Sequence, residues 1–426
     1  MTRRDVMLAA GTLTMAEVVP AAVGAQTAAT PAPISAPKPG LPARFPDKAS
    51  FLPGELVYLD SGSQHPISLG AKAAVDTYLS KRMLDPAAAH YDLPDDGVRE
   101  KFAKLVNADA DDIAYVQSTT AAEQMVLRGL GLPHSSLNGS GGHIVTDTLH
   151  FFGSLPLYEE MQRHGVEVTW VEPKDGRILL SDLKKAIRKD TRLVSLSLVS
   201  TINGFEHDLR AVCDLAHANG ALVYADIIHA AGCVPVDLKG SGVDFAACAS
   251  YKWLMGDFGL GFIYGTKAAR GQLTRTEYGY YGMSAFKPHV YPFDPPGEMI
   301  ADYAYAGTAE GTFAHGTHAH TVIAQLDHSL DYILGVGVAA IQAHAQDLIG
   351  RLKRELPKLG YTLMTPPEAT TPLVTCAYEN AREKLGPKLA AAKIKMTVSG
   401  NRFRVTPSVF NDHTDIDRLL AAVGHA

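Results

Sequence analysis

From about residue 110 onward the chain alternates short apolar runs with amphipathic stretches, and this alternation restricts the fold more than any other feature. The runs at 112–116, 142–146, 166–171, 193–198, 221–225, 243–249 and 261–264 are predicted strands. They are mostly continuous rather than alternating, which is the pattern of strands covered on both faces. Helices are predicted between them at 121–130, 154–164, 181–188 and after Asp208. In the last of these, Leu209, Val212, Cys213 and Ala216 fall at i, i+3, i+4 and i+7, behind an Asp208 cap and ahead of a terminating Gly220. The expected fold is α/β, with a mostly parallel sheet in a large domain. A smaller C-terminal α+β domain is expected from helices at 321–333 and 338–356 and strands at 373–377, 394–398 and 402–405. Its last helix is predicted to open on a capping box from Thr414 to Asp417.

Two domains also suit the length, since 426 residues exceed the roughly 250–300 that one core serves. The net charge of −6 excludes a nucleic-acid binder that works through a basic face, and it leaves no polybasic membrane patch. No run beyond residue 25 is apolar for long enough to span a bilayer. The four cysteines, Cys213, Cys233, Cys248 and Cys376, form no C-x-x-C pair and no zinc spacing. They read as small buried hydrophobes.

The N-terminus adds a compartment. Arg3-Arg4 precedes a weakly apolar stretch from Val6 to Val23, and Val23-Gly24-Ala25 offers small residues for cleavage. This resembles a twin-arginine export signal, so residues 1–25 are expected to be removed and the mature chain to be periplasmic; the alternative is cytoplasmic. Residues 26–50, rich in proline, read as a linker. The large domain is expected over 51–310, its N-terminal segment contributing to the small domain. An interface segment and the small domain are expected over 311–426. Twin-arginine machinery exports folded proteins, often with a cofactor inside.

The chemistry concentrates in Tyr224-Ala225-Asp226-Ile227-Ile228-His229 and in Ser250-Tyr251-Lys252-Trp253. Asp226 and Lys252 each close a predicted strand, where doubly wound sheets bind ligands. An amine that can form an imine, with a carboxylate for a ring nitrogen, suits pyridoxal phosphate; a solvated or structural ion pair is the alternative. Ser118-Thr119-Thr120 lies at a predicted helix start and reads as a phosphate cradle or a plain N-cap. Ser250 is placed to add a phosphate hydrogen bond. The glycine-rich run 256–261 lacks the G-x-G-x-x-G order and reads as a turn between strands. His315, His318 and His320 form a cluster open to structural, proton-carrying or metal-binding roles, with no metal expected.

These motifs, running from Tyr58-Leu59-Asp60 to Asp417-Arg418-Leu419, are similar to the class V aminotransferase family of fold-type I pyridoxal-phosphate enzymes. The pattern resembles its isopenicillin N epimerase-like and cysteine desulfurase-like branch. The resemblance implies that Lys252 is the Schiff-base lysine, that Asp226 pairs with the pyridine nitrogen and that His229 bonds the ring hydroxyl. It implies that His150 stacks on the ring as a catalytic residue and that Thr119 and Thr120 hold the phosphate. Thr201 falls where the family often has Asn near the hydroxyl, and Arg404 where it grips the substrate carboxylate. Gly316 and Thr317 would reach the cofactor of a second subunit, which implies a homodimer.

Cysteine desulfurases carry a reactive cysteine shortly before that arginine, but the stretch 393–400 contains none. The resemblance then implies an epimerase- or lyase-type reaction through a Cα carbanion on an amino acid or peptide-borne amino acid, with the freed lysine moving the proton. Aminotransferase activity is an alternative, as is periplasmic tailoring of a glutamyl group on a pyoverdine-like siderophore. Cysteine desulfuration and non-catalytic binding are less favoured.

Overall fold

The computed structural model describes residues 45–51, 54–133 and 142–424. The export signal and most of the proline-rich linker lie outside the described residues.

The first strand is β1 (Val57–Tyr58), and seven strands then form the central sheet. These are β2 (Ile113–Val116), β3 (His143–Asp147), β4 (Glu167–Val171), β5 (Thr191–Ser197), β6 (Leu222–Asp226), β7 (Phe245–Ala249) and β8 (Gly261–Gly265). Their order is β2-β8-β7-β6-β5-β3-β4. Neighbours from β7 to β4 are parallel, and β8 pairs antiparallel with both β7 and β2. Every residue of β2, β3, β6, β7 and β8 is buried, as continuous apolar runs require. Helices cover both faces and divide the apolar side chains into two clusters, one around Val194, Val223 and Phe262, the other around Ile144, Tyr224 and Phe245.

Three helices of this domain matter below: α1 (Thr119–Gly129), α2 (Leu155–Arg163) and α3 (Leu209–His217). Ser118 caps α1, its hydroxyl accepting from Ala121 N, and Asp208 caps α3 through Ala211 N. After β8 comes a ribbon that the apolar pattern did not reveal, β9 (Met283–Pro288) paired antiparallel with β10 (Ala301–Tyr305). Its strands are mostly exposed, so no buried face imprints a period on the sequence.

Helix α4 (His320–Val336) and helix α5 (Val338–Lys358) meet at a 77° bend. Gly337 sits at the bend with φ +88°, a conformation other residues rarely adopt. Among the described residues no single helix is long and apolar enough to cross a membrane. The small domain is a four-stranded sheet in the order β11 (Thr362–Leu363), β12 (Val374–Ala377), β15 (Arg402–Val405) and β14 (Thr397–Val398). The one strand expected over 394–398 is two, because β13 (Ile394–Lys395) instead pairs in parallel with β1. The last helix, α6 (His413–Val423), starts earlier than expected. Its capping box is Asp412 with Asp415: Asp412 Oδ1 accepts from Asp415 N at 3.0 Å, and Asp415 Oδ2 from Asp412 N at 3.1 Å. Aspartate caps as well as Ser or Thr, so the box forms two residues ahead of Thr414.

Candidate active site

The carboxyl ends of β5, β6 and β7 supply the centre of the site. Asp226 is the last residue of β6, 4% exposed, and Oδ1 accepts from Ile228 N at 2.9 Å. The chain then turns through Ile227–Ala230, which places His229 on the same edge, 3% exposed. Lys252 follows the end of β7 and is 6% exposed; its Nζ lies 2.9 Å from His229 Nε2. The ring centroids of Phe151 and Tyr251 stand 5.9 and 5.6 Å from Nζ.

Burial sets the electrostatics. It drags the Lys252 ammonium down to about 8, against the pull of Asp226. It pushes the Asp226 carboxyl up to about 6, with the Ile228 N–H and His150 drawing it the other way. Burial, then the charges of Lys252 and Arg404, hold His229 well below the usual imidazole range. The amine is thereby made easier to deprotonate and more nucleophilic. His229 Nδ1 is buried without a partner, as is Arg404 Nε. Unpartnered polar atoms this far from water leave bonding capacity that a polar ligand can complete.

His150 lies just beyond β3, fully buried, and both ring nitrogens are engaged. Nδ1 is 2.8 Å from Ser197 Oγ at the end of β5, and Nε2 is 3.0 Å from Glu123 Oε1. Ser197 in turn is the register partner of Asp226. Glu123, absent from the expected site, projects from α1 and is 3% exposed. It also accepts from Tyr158 Oη at 2.6 Å, Ser154 Oγ at 2.6 Å and Ser195 Oγ at 3.1 Å. Burial opposes both charges, yet each partner favours the other's: His150 is raised and Glu123 lowered. The available signal was a lone carboxylate inside the predicted helix 121–130, with Ser154 and Tyr158 spaced i, i+4 on a later helix.

Arg404 sits on β15, between Thr375 of β12 and Thr397 of β14 in register, and its side chain bridges the two domains. Nη1 donates to Thr201 O at 3.1 Å and to Thr201 Oγ1. Nη2 donates to Ser63 Oγ at 2.7 Å and to Thr397 Oγ1 at 3.2 Å, and Asp60 Oδ1 is 3.7 Å away. Thr201 is therefore brought to Arg404. Asp60, Ser63 and Thr397 are not among the expected site residues, because they converge with Arg404 from segments more than 300 residues apart.

Thr119 and Thr120 are the first two residues of α1, half-buried and exposed, behind the Ser118 cap. Their position leaves N–H groups of a helix N-terminus near the β2 edge. The Ser250 hydroxyl is spent on its own loop, donating to Asp257 O at 2.6 Å and Leu260 O at 2.8 Å. With one proton shared between two carbonyls, it braces the glycine-rich turn. Gly316 and Thr317 line a cleft of about 430 Å³ with Val116, Gln117 and Gly259, and Thr317 Oγ1 is 3.1 Å from Tyr280 Oη. The nearby histidines do not converge. His318 packs between Tyr115 and Tyr281, His320 stacks on His90, and His315 is near Glu277. Among the described residues no three His, Cys, Asp or Glu side chains gather as a metal site would need.

All four thiols are buried. Burial pushes Cys213 and Cys376 up to about 12 and Cys233 and Cys248 well above the usual thiol range.

A profile of the family described as aminotransferase class-V matches residues 81–408. The chain belongs to that family. As a member it is a pyridoxal-phosphate-dependent enzyme, and the buried amine, strand-end carboxylate and orphaned polar atoms fit that cofactor. Among curated relatives, the cysteine desulfurase IscS of Shewanella loihica is 31% identical over 43% of this chain and 45% of its own length. A Methanothermobacter thermautotrophicus protein named "probable cysteine desulfurase" is 25% identical over 70% of this chain and 71% of its own. The chain thus spans under half of the first relative. Among solved structures, the Escherichia coli cysteine desulfurase CsdA aligns with TM-score 0.76 and 20% identity, covering 88% of this chain and 96% of that one. A cysteine desulfurase from Thermococcus onnurineus aligns with TM-score 0.75 and 21% identity, covering 89% and 98%. These likenesses establish the fold-type I architecture.

Proposed function

We propose that this enzyme acts at Cα of an amino acid, or of a peptide-borne amino acid with a free amine, in an epimerase- or lyase-type reaction that uses no thiol. The observation that carries this is the contrast between a buried Lys252 amine beside His229 and four thiols shut away from any substrate. Pyridoxal phosphate, when bound, supplies an electron sink for charge developing at Cα. Lys252, Asp226, His229, Thr119 and Thr120 would hold it. Lys252, whose buried ammonium gives up its proton more readily than an exposed one, is the group to take or return the Cα proton. Arg404, braced by Thr201 and Ser63, orients a substrate carboxylate; a planar guanidinium suits that shape. Export by the Arg3-Arg4 signal and a homodimer in which Gly316 and Thr317 meet a neighbouring site belong to the same proposal.

The names of the relatives favour a second reading, cysteine desulfuration. Thiol-borne sulfur transfer needs an accessible, ionisable cysteine, and burial denies that to all four. Incubating the holoenzyme with a panel of amino acids in deuterated water separates the readings. The proposal expects deuterium at Cα, or elimination products, retained in Cys376→Ala. Sulfide release from free cysteine that disappears when one cysteine is replaced would restore the desulfurase reading.

A further inference from the structure

The Glu123 carboxylate enters the wall of the site from α1, one turn past Thr119 and Thr120, and is nearly inaccessible to water. It accepts from four side chains, His150, Ser154, Tyr158 and Ser195, drawn from the loop after β3, from α2 and its N-cap, and from β5. A carboxylate so removed from solvent needs hydrogen bonds or a cation beside it to stay ionised, and among its partners His150 is the one that can carry a positive charge. The charges that act most strongly on His150 are acidic: Glu123 from α1, Asp147 from the end of β3 and Asp226 from the end of β6. Tyr158, facing the same pair from α2, is held neutral by burial and by Glu123. Both imidazole nitrogens are committed, Nε2 to Glu123 and Nδ1 to Ser197, so neither is free to meet a substrate atom.

We propose that Glu123 is a positioning residue that keeps His150 as a fixed imidazolium on the wall of the cofactor site. His150 then contributes a permanent positive charge next to the Asp226 edge and transfers no substrate proton, a task left to Lys252. This rests on the pyridoxal-phosphate assignment for its consequence, but the ion pair itself is a property of the polypeptide.

The test is a pH titration of the holoenzyme labelled with ¹⁵N-histidine, with His150 assigned by its loss in His150→Asn. In the unaltered enzyme both His150 nitrogens should remain protonated at pH 8. In Glu123→Gln the half-titration point should fall by about one pH unit or more, a tenfold change in proton affinity. The bound cofactor's absorbance, titrated in parallel, should shift its midpoint upward in that variant, because a neighbouring cation is lost. A neutral His150 at pH 8 in the unaltered enzyme overturns the proposal, and that reading needs no variant to fold. A His150 midpoint unmoved by Glu123→Gln, or an absorbance midpoint that moves down, overturns it as well. Failure of the cofactor assignment would show separately, as a protein without cofactor absorbance whose His150 titration still reports on the pair.

Discussion

Two polar clusters flank the carboxyl edge of the sheet, and they are finished to different degrees. Around Glu123, every oxygen and both His150 nitrogens have partners at 2.6–3.1 Å inside the protein. Around Lys252, the amine shares one imidazole, while His229 Nδ1 and Arg404 Nε are buried with none. A satisfied network rigidifies the fold, whereas an unsatisfied one at equal depth costs stability until something fills it. The closed cluster therefore reads as architecture that orients the site, and the open one as the place where cofactor and substrate complete the bonding.

The largest expected effect comes from emptying the open cluster. Lys252→Ala should leave a colourless protein under conditions where the parent is yellow, with turnover reduced by at least about 10³-fold. Normal turnover in that variant would contradict the assignment.

Next is the pH dependence of the cofactor-free protein. Lys252 has its folded-state value lowered to about 8, so between pH 8 and its unfolded value near 10.4 the unfolded chain binds more protons. Stability should accordingly rise with pH across that window, by about 3 kcal/mol from this residue. Asp226, raised to about 6, has the opposite sign: its contribution falls as pH climbs from about 4 to 6. Denaturant melts across pH 8–10.5 should show the rise, and Lys252→Met should flatten it.

Removing Arg404 should cost less. Arg404→Ala is expected to weaken binding of a substrate with a free carboxylate by about 2–3 kcal/mol, seen chiefly in KM, and to leave the corresponding amide almost unaffected. An equal loss for acid and amide would mean that the guanidinium serves only the domain junction it spans.

The closed cluster yields the smallest effect. Tyr158→Phe takes one of four donors from Glu123 and should lower stability by about 1–2 kcal/mol in chemical denaturation. A neutral result would mean that the hydroxyl is not part of a satisfied network.

The difference between the clusters also explains what the sequence disclosed. Continuous apolar runs identify the sheet because both of its faces are covered, and Asp226 and Lys252 stand out as charges at the ends of such runs. Glu123 stays hidden because a helix tolerates one inward carboxylate without disturbing its period, and its four donors come from distant segments. Arg404 is recognisable from its motif, but its bonding to Ser63 and Thr201 depends on the packing of two domains. The β9–β10 ribbon buries neither face and leaves no pattern to read. Ser250 illustrates the converse: a hydroxyl beside the lysine in sequence is turned onto Asp257 and Leu260 by the tight loop around it.

The central claim is that Lys252 is the amine the open cluster presents to the cofactor. Borohydride reduction of the holoenzyme, followed by peptide mass mapping, tests it most directly. The account predicts a single stable cofactor adduct on the peptide carrying Lys252. An adduct on a different lysine, with Lys252 unmodified, would contradict it.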